Sequence, residues 1–285
     1  MRLFCFGFGY AAQALARRLS ARTTALAGTR TRLDAGPPPL GARLAAFASD
    51  PVAAEVRGLL AGTTHLLVSI PPDLEGDVVL RYFRDDLLAL PELGWVGYLS
   101  TVGVYGDCQG RWVDETSPTR PTSERSLRRL EAERAWFAFG RDSGRRVEVF
   151  RLAGIYGSGR SVIDSLRAGT ARRIVKPGQV FNRIHVDDIA LVLAAAIDRP
   201  AGHAIYNVSD DEPAPPEDVV AYAAELLGLP LPPPVPLADA GLAGLAASFW
   251  AESKRVSNAR IKTALGVGLA YPTYREGLRA LIAGG

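Results

Sequence analysis

The sequence of 285 residues has little cysteine, little histidine and no long unbroken apolar run. Its two cysteines, Cys5 in an apolar stretch and Cys108 in a turn-like segment, offer neither a disulfide framework nor a metal-ligand spacing. No metal is expected, and Cys5 is read as packing. Charge of one sign is also missing: 33 Lys and Arg face 30 Asp and Glu, and the formal charge of +3 comes with no basic stripe for nucleic acid. The opening MRLFCFGFGYAAQALARRLS breaks its apolar residues with glycines, which suits neither a signal peptide nor a span of roughly 20 apolar residues. A cytoplasmic protein with no nucleic-acid or membrane partner is expected. The chain is 48% hydrophobic and 22% charged, the composition of one large globular domain or two smaller ones.

What the sequence does contain is alternation. The runs RLFCFGFG, TTALAGT, RLAAFASD and THLLVSIPP read as strands, with the helical AAQALARRLSA after the first. DVVLRYFRDDLLAL reads as an amphipathic helix, and GWVGYLST and RRVEVFRLAGIYG as further strands, so six or seven strands are expected. Repeated βαβ units of this kind build a parallel sheet. After about residue 206 the chain turns helical, with a proline-rich break at 230–236, and reads as a smaller lobe.

FGFGYAAQALA sets Gly7, Gly9 and Ala12 as G-x-G-x-x-A between a strand and a helix. The first glycine allows the tight turn, the second lets backbone approach a pyrophosphate, and a small third residue lets helix and strand pack closely. The pyrophosphate would sit on the helix N-terminus. Where an acidic residue would bind the ribose of NAD, the second strand ends in AGTRTR. Arg30 and Arg32 suit a 2′-phosphate, so NADP is expected over NAD, with exposed loop arginines as the plain alternative. The expected fold is α/β, a Rossmann-type doubly wound, mainly parallel sheet.

These residues resemble the extended short-chain dehydrogenase/reductases, the NAD-dependent epimerase/dehydratase family. The likeness rests on GFGYAA, Asp50 in FASD, VSIPP, YLSTVGVYGD, FRLAGIYGSG, FNRIHVDDIA, IYNVSDDEP and the closing SKRVSNARIKTALG and YPTYREGL. It implies a dinucleotide-binding domain over 1–155 and 180–206, with a small substrate lobe over 156–179 and 207–285. It extends the cofactor-binding set to Tyr10, Asp50, Ser69, Ile70 and Pro71, and gives Tyr156, Asn182 and Arg183 to a small-molecule substrate. It also makes Thr101, with Ser100 beside it, the group that bonds the substrate's reacting oxygen; a threonine bonding local backbone is the alternative. Val102 and Gly103 stand where the family's sugar dehydratases carry an Asp-Glu pair, so that chemistry is not expected.

The larger departure is in PTSERSLRRLEAERAW, residues 121–136, which has no tyrosine and no lysine. Against the family's Tyr-x-x-x-Lys, with a glutamate four residues on, Glu133 sets Arg129 at the lysine position and Arg125 at the tyrosine position. Arginine stays protonated above about pH 12 and cannot replace tyrosine as an acid/base, though two cations can hold anionic groups. At 100° per residue Arg125, Arg129, Ala132 and Trp136 share one stripe and Leu127, Leu130 and Phe137 another. The bland reading makes Glu124/Arg128 and Arg129/Glu133 surface pairs worth a few tenths of a kcal/mol. Tyr105 is the first candidate for a relocated proton carrier; Asp107, Asp114, Glu115, Tyr156 and His185 are weaker, and His185 better fits a strand-helix junction. Arg160, Lys176, Lys254 and Arg255 add basic character, so an anionic substrate is expected. Phe137 and Phe139 fit a homodimer contact and an intramolecular core equally. The resulting expectation is an NADP-dependent oxidoreductase or epimerase with a non-standard site; the competing class is a non-catalytic NADP-binding redox sensor.

Overall fold

The computed structural model describes residues 1–33, 37–47, 53–199 and 202–284. The order opens β1 (Arg2–Phe6), α1 (Tyr10–Arg18), β2 (Ala25–Arg30), β3 (Arg43–Ala46), α2 (Ala53–Leu60), β4 (His65–Val68), α3 (Val78–Leu88) and β5 (Trp95–Thr101). It continues β6 (Trp112–Val113), α4 (Glu124–Ser143), β7 (Arg146–Leu152), β8 (Gly154–Tyr156), α5 (Val162–Arg167), β9 (Arg173–Val175) and β10 (Arg183–His185). Then follow α6 (Val186–Asp198), β11 (Ala204–Val208), α7 (Pro216–Leu227), β12 (Pro234–Pro236), α8 (Gly244–Trp250), β13 (Arg255–Val256), α9 (Ala259–Leu265) and α10 (Tyr274–Ala283).

Seven strands form one sheet in the order β11-β7-β5-β4-β1-β2-β3. The pairs β1–β2, β1–β4, β2–β3 and β4–β5 are all parallel. Strand order runs outward in both directions from β1 and β4, which makes the ends of those two strands the switch point of a Rossmann-like α/β fold. The strands read as continuous apolar runs because both faces are covered: four of five residues of β1 and six of seven of β5 are buried.

The chain divides into two compact units. The first comprises Met1–Thr101, Glu124–Arg151 and Ile189–Tyr206. Its core gathers Phe4, Phe6, Phe83, Tyr98, Trp136 and Phe139. Phe139 is fully buried, and a phenyl ring so placed contributes about 1.5–3 kcal/mol of transfer free energy. Phe137 packs, partly buried, against the same cluster. Cys5 is completely buried, as expected of a packing residue, and burial raises its thiol far above the ordinary range.

The second unit comprises Val102–Ser123, Leu152–Asp188 and Asn207–Gly285. Three two-stranded pieces, β10-β8, β12-β9 and β13-β6, tie it together. Local chemistry sets its helix ends: capping boxes at Ser161/Asp164 and Thr273/Glu276 start α5 and α10, and a left-handed Gly228 ends α7. Its core includes Ile163, Ala223, Tyr274 and Leu278. Among the described residues no helix is long and apolar enough to cross a membrane. No cluster of three or more His, Cys, Asp or Glu that could hold a metal occurs among them either.

Candidate functional site

The glycine loop is braced from both neighbouring strands. Gly7 adopts φ +86°, in the region that favours glycine, and a Cβ there would stand 2.4 Å from the Ser69 hydroxyl. From β2, the Thr29 hydroxyl accepts the Gly7 N–H at 3.0 Å and the Thr29 carbonyl accepts the Phe8 N–H at 2.6 Å. From beyond β4, the Ser69 hydroxyl donates to the Gly7 carbonyl at 2.7 Å. Arg30 Nε and Gln13 Nε2 both donate to the Phe8 carbonyl, at 3.2 and 3.3 Å. The loop is therefore held in shape by its own neighbours.

Gly9 is the N-cap of α1, with no side-chain cap and no acidic residue in the first turn. A Cβ added at Gly9 would meet nothing within 4 Å. Internal packing thus gives no reason for glycine there, whereas close approach of an outside group to the helix N-terminus does. The loop opens into a cleft of about 520 Å³ at the switch point, lined by Gly7, Gly9, Arg30, Ser69, Ile70 and Pro71 among others. Ala12, nearly fully buried, serves helix packing instead. Tyr10 and Arg32 are not among the lining residues, and Arg32 is exposed. Asp50 lies outside the described residues. Thr29, Gln13 and Phe47 belong to the cleft and were not singled out from sequence, although Thr29 directly precedes Arg30.

At the end of β5, Ser100 is buried and Thr101 half-buried. The Ser100 hydroxyl donates to Glu133 Oε1 at 2.5 Å, and Arg151 Nη2 donates to Glu133 Oε2 at 2.7 Å. Arg151 Nε adds a bond to Oε1 at 3.1 Å, so Glu133 joins β5, α4 and β7 in a buried ion pair. The expected surface pair Arg129/Glu133 does not form. Arg129 is itself buried, donates to the Leu99 carbonyl at 2.7 Å and to the Tyr98 hydroxyl at 3.3 Å, and lies 5.6 Å from the Tyr98 ring centroid. The expected pair Arg128/Glu124 is present at 3.6 Å. Arg125, one turn before Arg129, is exposed. Partial burial and the Arg129 charge push its guanidinium below the usual range. Burial pushes the Tyr98 phenol above the usual range and also raises the Asp77 carboxyl. Asp77 caps α3 through the Leu80 N–H at 2.9 Å and accepts Trp136 Nε1 at 2.9 Å.

In the second unit Tyr105, Asn182 and His185 are buried, whereas Asp107 and Asp114 are exposed. The buried Tyr105 hydroxyl donates to Asn207 Oδ1 at 2.7 Å, and Glu115 Oε1 accepts the Asn207 N–H at 2.7 Å. Asn182 donates to the Lys254 carbonyl at 2.9 Å and accepts the Val256 N–H at 2.8 Å. Arg183 donates to the Phe181 and Ala214 carbonyls at 3.0 and 3.3 Å, and burial lowers its pKa. His185 Nδ1 accepts the Asp187 N–H at 3.2 Å, the strand-helix junction expected of it. Asp107 accepts the Ser253 N–H at 2.9 Å, and Asp114 accepts the Thr116 hydroxyl at 2.7 Å. Tyr156 is buried, its phenol raised by burial, and its hydroxyl abuts Gly277. Tyr156 also lines an open cleft of about 570 Å³ with Arg160, Ser161, Asp164, Thr170 and Arg172.

A Rossmann-like sheet with an open glycine loop at its switch point defines the class. Residues 89–209 match the model of the NAD dependent epimerase/dehydratase family. A Methylobacillus flagellatus structure assigned to that family is 27% identical, with 99% of this chain and 98% of that one covered and a TM-score of 0.76. Over those residues, and across the whole fold, the chain is similar to members of the NAD-dependent epimerase/dehydratase family. A functionally unknown conserved protein from Silicibacter pomeroyi is 49% identical, with 99% and 98% covered and a TM-score of 0.91. A 3-diazoavenalumate denitrifying reductase from a Streptomyces species is 31% identical over 140 residues, 46% of this chain; the chain spans 45% of that relative's length.

Proposed function

We propose that the protein binds NADP through the glycine loop and transfers hydride to or from a small, anionic carbonyl or hydroxyl compound. The observation that carries the cofactor reading is Gly9, an uncapped helix N-terminus with open space where a Cβ would stand. Support for the 2′-phosphate form comes from Arg30 in the lining of the same cleft and from Arg32, exposed two residues on. When bound, the nicotinamide supplies the hydride chemistry. The chain's own part is to seat the pyrophosphate at α1, to orient the reacting oxygen through Thr101 and to keep cationic groups on α4. Two arginines at the family's acid/base positions cannot exchange protons near neutral pH. The Tyr105 hydroxyl, spent on Asn207, is no better placed. In this reading the proton therefore comes from solvent.

The second reading, a non-catalytic NADP-binding redox sensor, is favoured by Arg129: the side chain at the lysine position is bound to the Leu99 carbonyl. Fluorescence titration with NADPH and NADH, then absorbance of NADPH against a panel of carbonyl compounds, separates the readings. Tighter NADPH than NADH binding with turnover is expected, and Thr101→Ala removes that turnover. Tight binding without turnover favours the sensor, and tighter NADH binding refutes the NADP assignment.

A further inference from the structure

The cleft at the glycine loop carries opposite charges on its two sides. Among the described residues that line it, Arg30 is the one base and Asp73 the one acid. Arg30 ends β2, Asp73 lies in the turn between β4 and α3, and β1, which leads into the loop, stands between β4 and β2 in the sheet. An acid is out of place beside a pyrophosphate, and α1 has none in its first turn. Yet Asp73 is held firmly at the cleft wall. Its Oδ1 accepts Arg81 Nη1 and the Glu75 N–H, both at 2.8 Å, and its Oδ2 accepts Arg81 Nη2 at 2.5 Å. Backbone bonds between Asp73 and Gly76 close the turn. Arg81 holds the Asp73 carboxyl down at about 2, so it is ionised at neutral pH. An ionised carboxyl offers about four acceptor positions. The bonds named fill both on Oδ1 and one on Oδ2, which leaves Oδ2 able to accept one more donor.

The structure assigns Asp73 as the hydrogen-bond acceptor for a ribose hydroxyl on the nicotinamide half of the dinucleotide, a specificity-determining contact on the β4 side of the loop. This rests on the reading of the cleft as a dinucleotide site and names a contact within it. In a sheet of this class the pyrophosphate sits at the first helix and the adenine ribose at the end of the second strand, so the other half of the cofactor extends to the β4 side. A carboxylate there repels phosphate and has no proton to give. Its complement is a neutral donor, and a ribose hydroxyl is one that the cofactor itself brings. Arg30 and Asp73 thereby give the cleft a direction, with the anion favoured on the β2 side and the hydroxyl on the β4 side.

The test titrates the full chain with NADPH, with NADPH lacking the 2′- or the 3′-hydroxyl of the nicotinamide ribose, and with 2′,5′-ADP, which has no nicotinamide half. For the wild type, removal of one of the two hydroxyls weakens binding by about 10- to 100-fold, the loss of one hydrogen bond to a charged acceptor. Asp73→Asn weakens NADPH by a similar factor, no longer senses that deletion, and binds 2′,5′-ADP as the wild type does. Wild-type affinity unchanged by either deletion overturns the assignment whether or not the variant folds. A variant that loses NADPH and 2′,5′-ADP alike, or that still senses the deletion, overturns it too and leaves Asp73 with only the closing of its turn. Failure of the wild type to bind NADPH and 2′,5′-ADP at all overturns the dinucleotide reading itself.

Discussion

Two buried carboxylates, Glu133 on α4 against the first unit's sheet and Glu148 on strand β7, show how differently the sheet's opposite ends are built. Glu133 meets Ser100 and Arg151 near the ends of β5 and β7, and a guanidinium with two hydrogen bonds plus a hydroxyl answers its charge. Glu148 sits near the start of β7, fully buried, with Trp95 Nε1 donating at 2.6 Å and Arg146 no nearer than 3.9 Å. Its other oxygen has no hydrogen-bond partner. Burial pushes the Glu148 carboxyl up to about 7, whereas Glu133 stands in a complete ion pair. The glycine loop, Ser69 and Thr101 all lie at the Glu133 end, where open α/β sheets place their ligands. At that end the buried acid is answered by a charge; at the other it has one hydrogen bond.

The largest effect expected is from Glu133→Ala, which takes the carboxylate away from the buried Arg151 guanidinium and the Ser100 hydroxyl. A loss of about 3–5 kcal/mol in urea unfolding is expected. A loss no larger than that of Glu148→Ala would erase the contrast.

Glu148→Gln tests the other end through pH. The folded-state pKa of Glu148, about 7, lies above its ordinary value of 4.5, so folding favours the protonated form. Below about pH 4.5 the group is neutral folded or unfolded and costs nothing; its cost grows as pH rises to about 7 and is then constant. The variant should gain up to about 3 kcal/mol on the wild type across that window, measured as paired denaturation curves. A difference independent of pH would show that the carboxyl is answered after all.

Gly9→Val probes the ligand side of the better-held end without touching its ion pair. NADPH binding should weaken by about tenfold or more, 1.4 kcal/mol, while the melting midpoint stays put. A lowered midpoint with unchanged binding would mean that Gly9 serves the fold. The smallest effect is expected from Glu124→Ala, which removes the exposed pair with Arg128. A change within about 0.5 kcal/mol would mark off this surface pair from the buried one a few turns along the same helix.

How much of this was legible in the sequence depended on how local each interaction is. The glycine loop could be read because Gly7, Gly9 and Ala12 act through the turn they occupy, and His185 because its partner is two residues away. Glu133 could not. Helical spacing offered Arg129 as its partner, but the strand packed against α4 brought Arg151, 18 residues on, into a better geometry. The stripe of Arg125, Arg129, Ala132 and Trp136 was likewise only half informative: its last three members are buried and Arg125 is not. Tyr105 invited a proton-transfer role from its place before a glycine, yet its partner Asn207 is 102 residues away.

By itself the sequence determined the alternation of strands and helices, the glycine turn between β1 and α1 and the absence of a tyrosine and a lysine on α4. Each follows from residues within a turn or two of one another, where backbone geometry and side-chain type suffice. Only the tertiary structure decided which arginine is a bolt and which is exposed, and which buried acid is paired. Burial and long-range pairing set those outcomes, and neither is encoded in spacing along the chain.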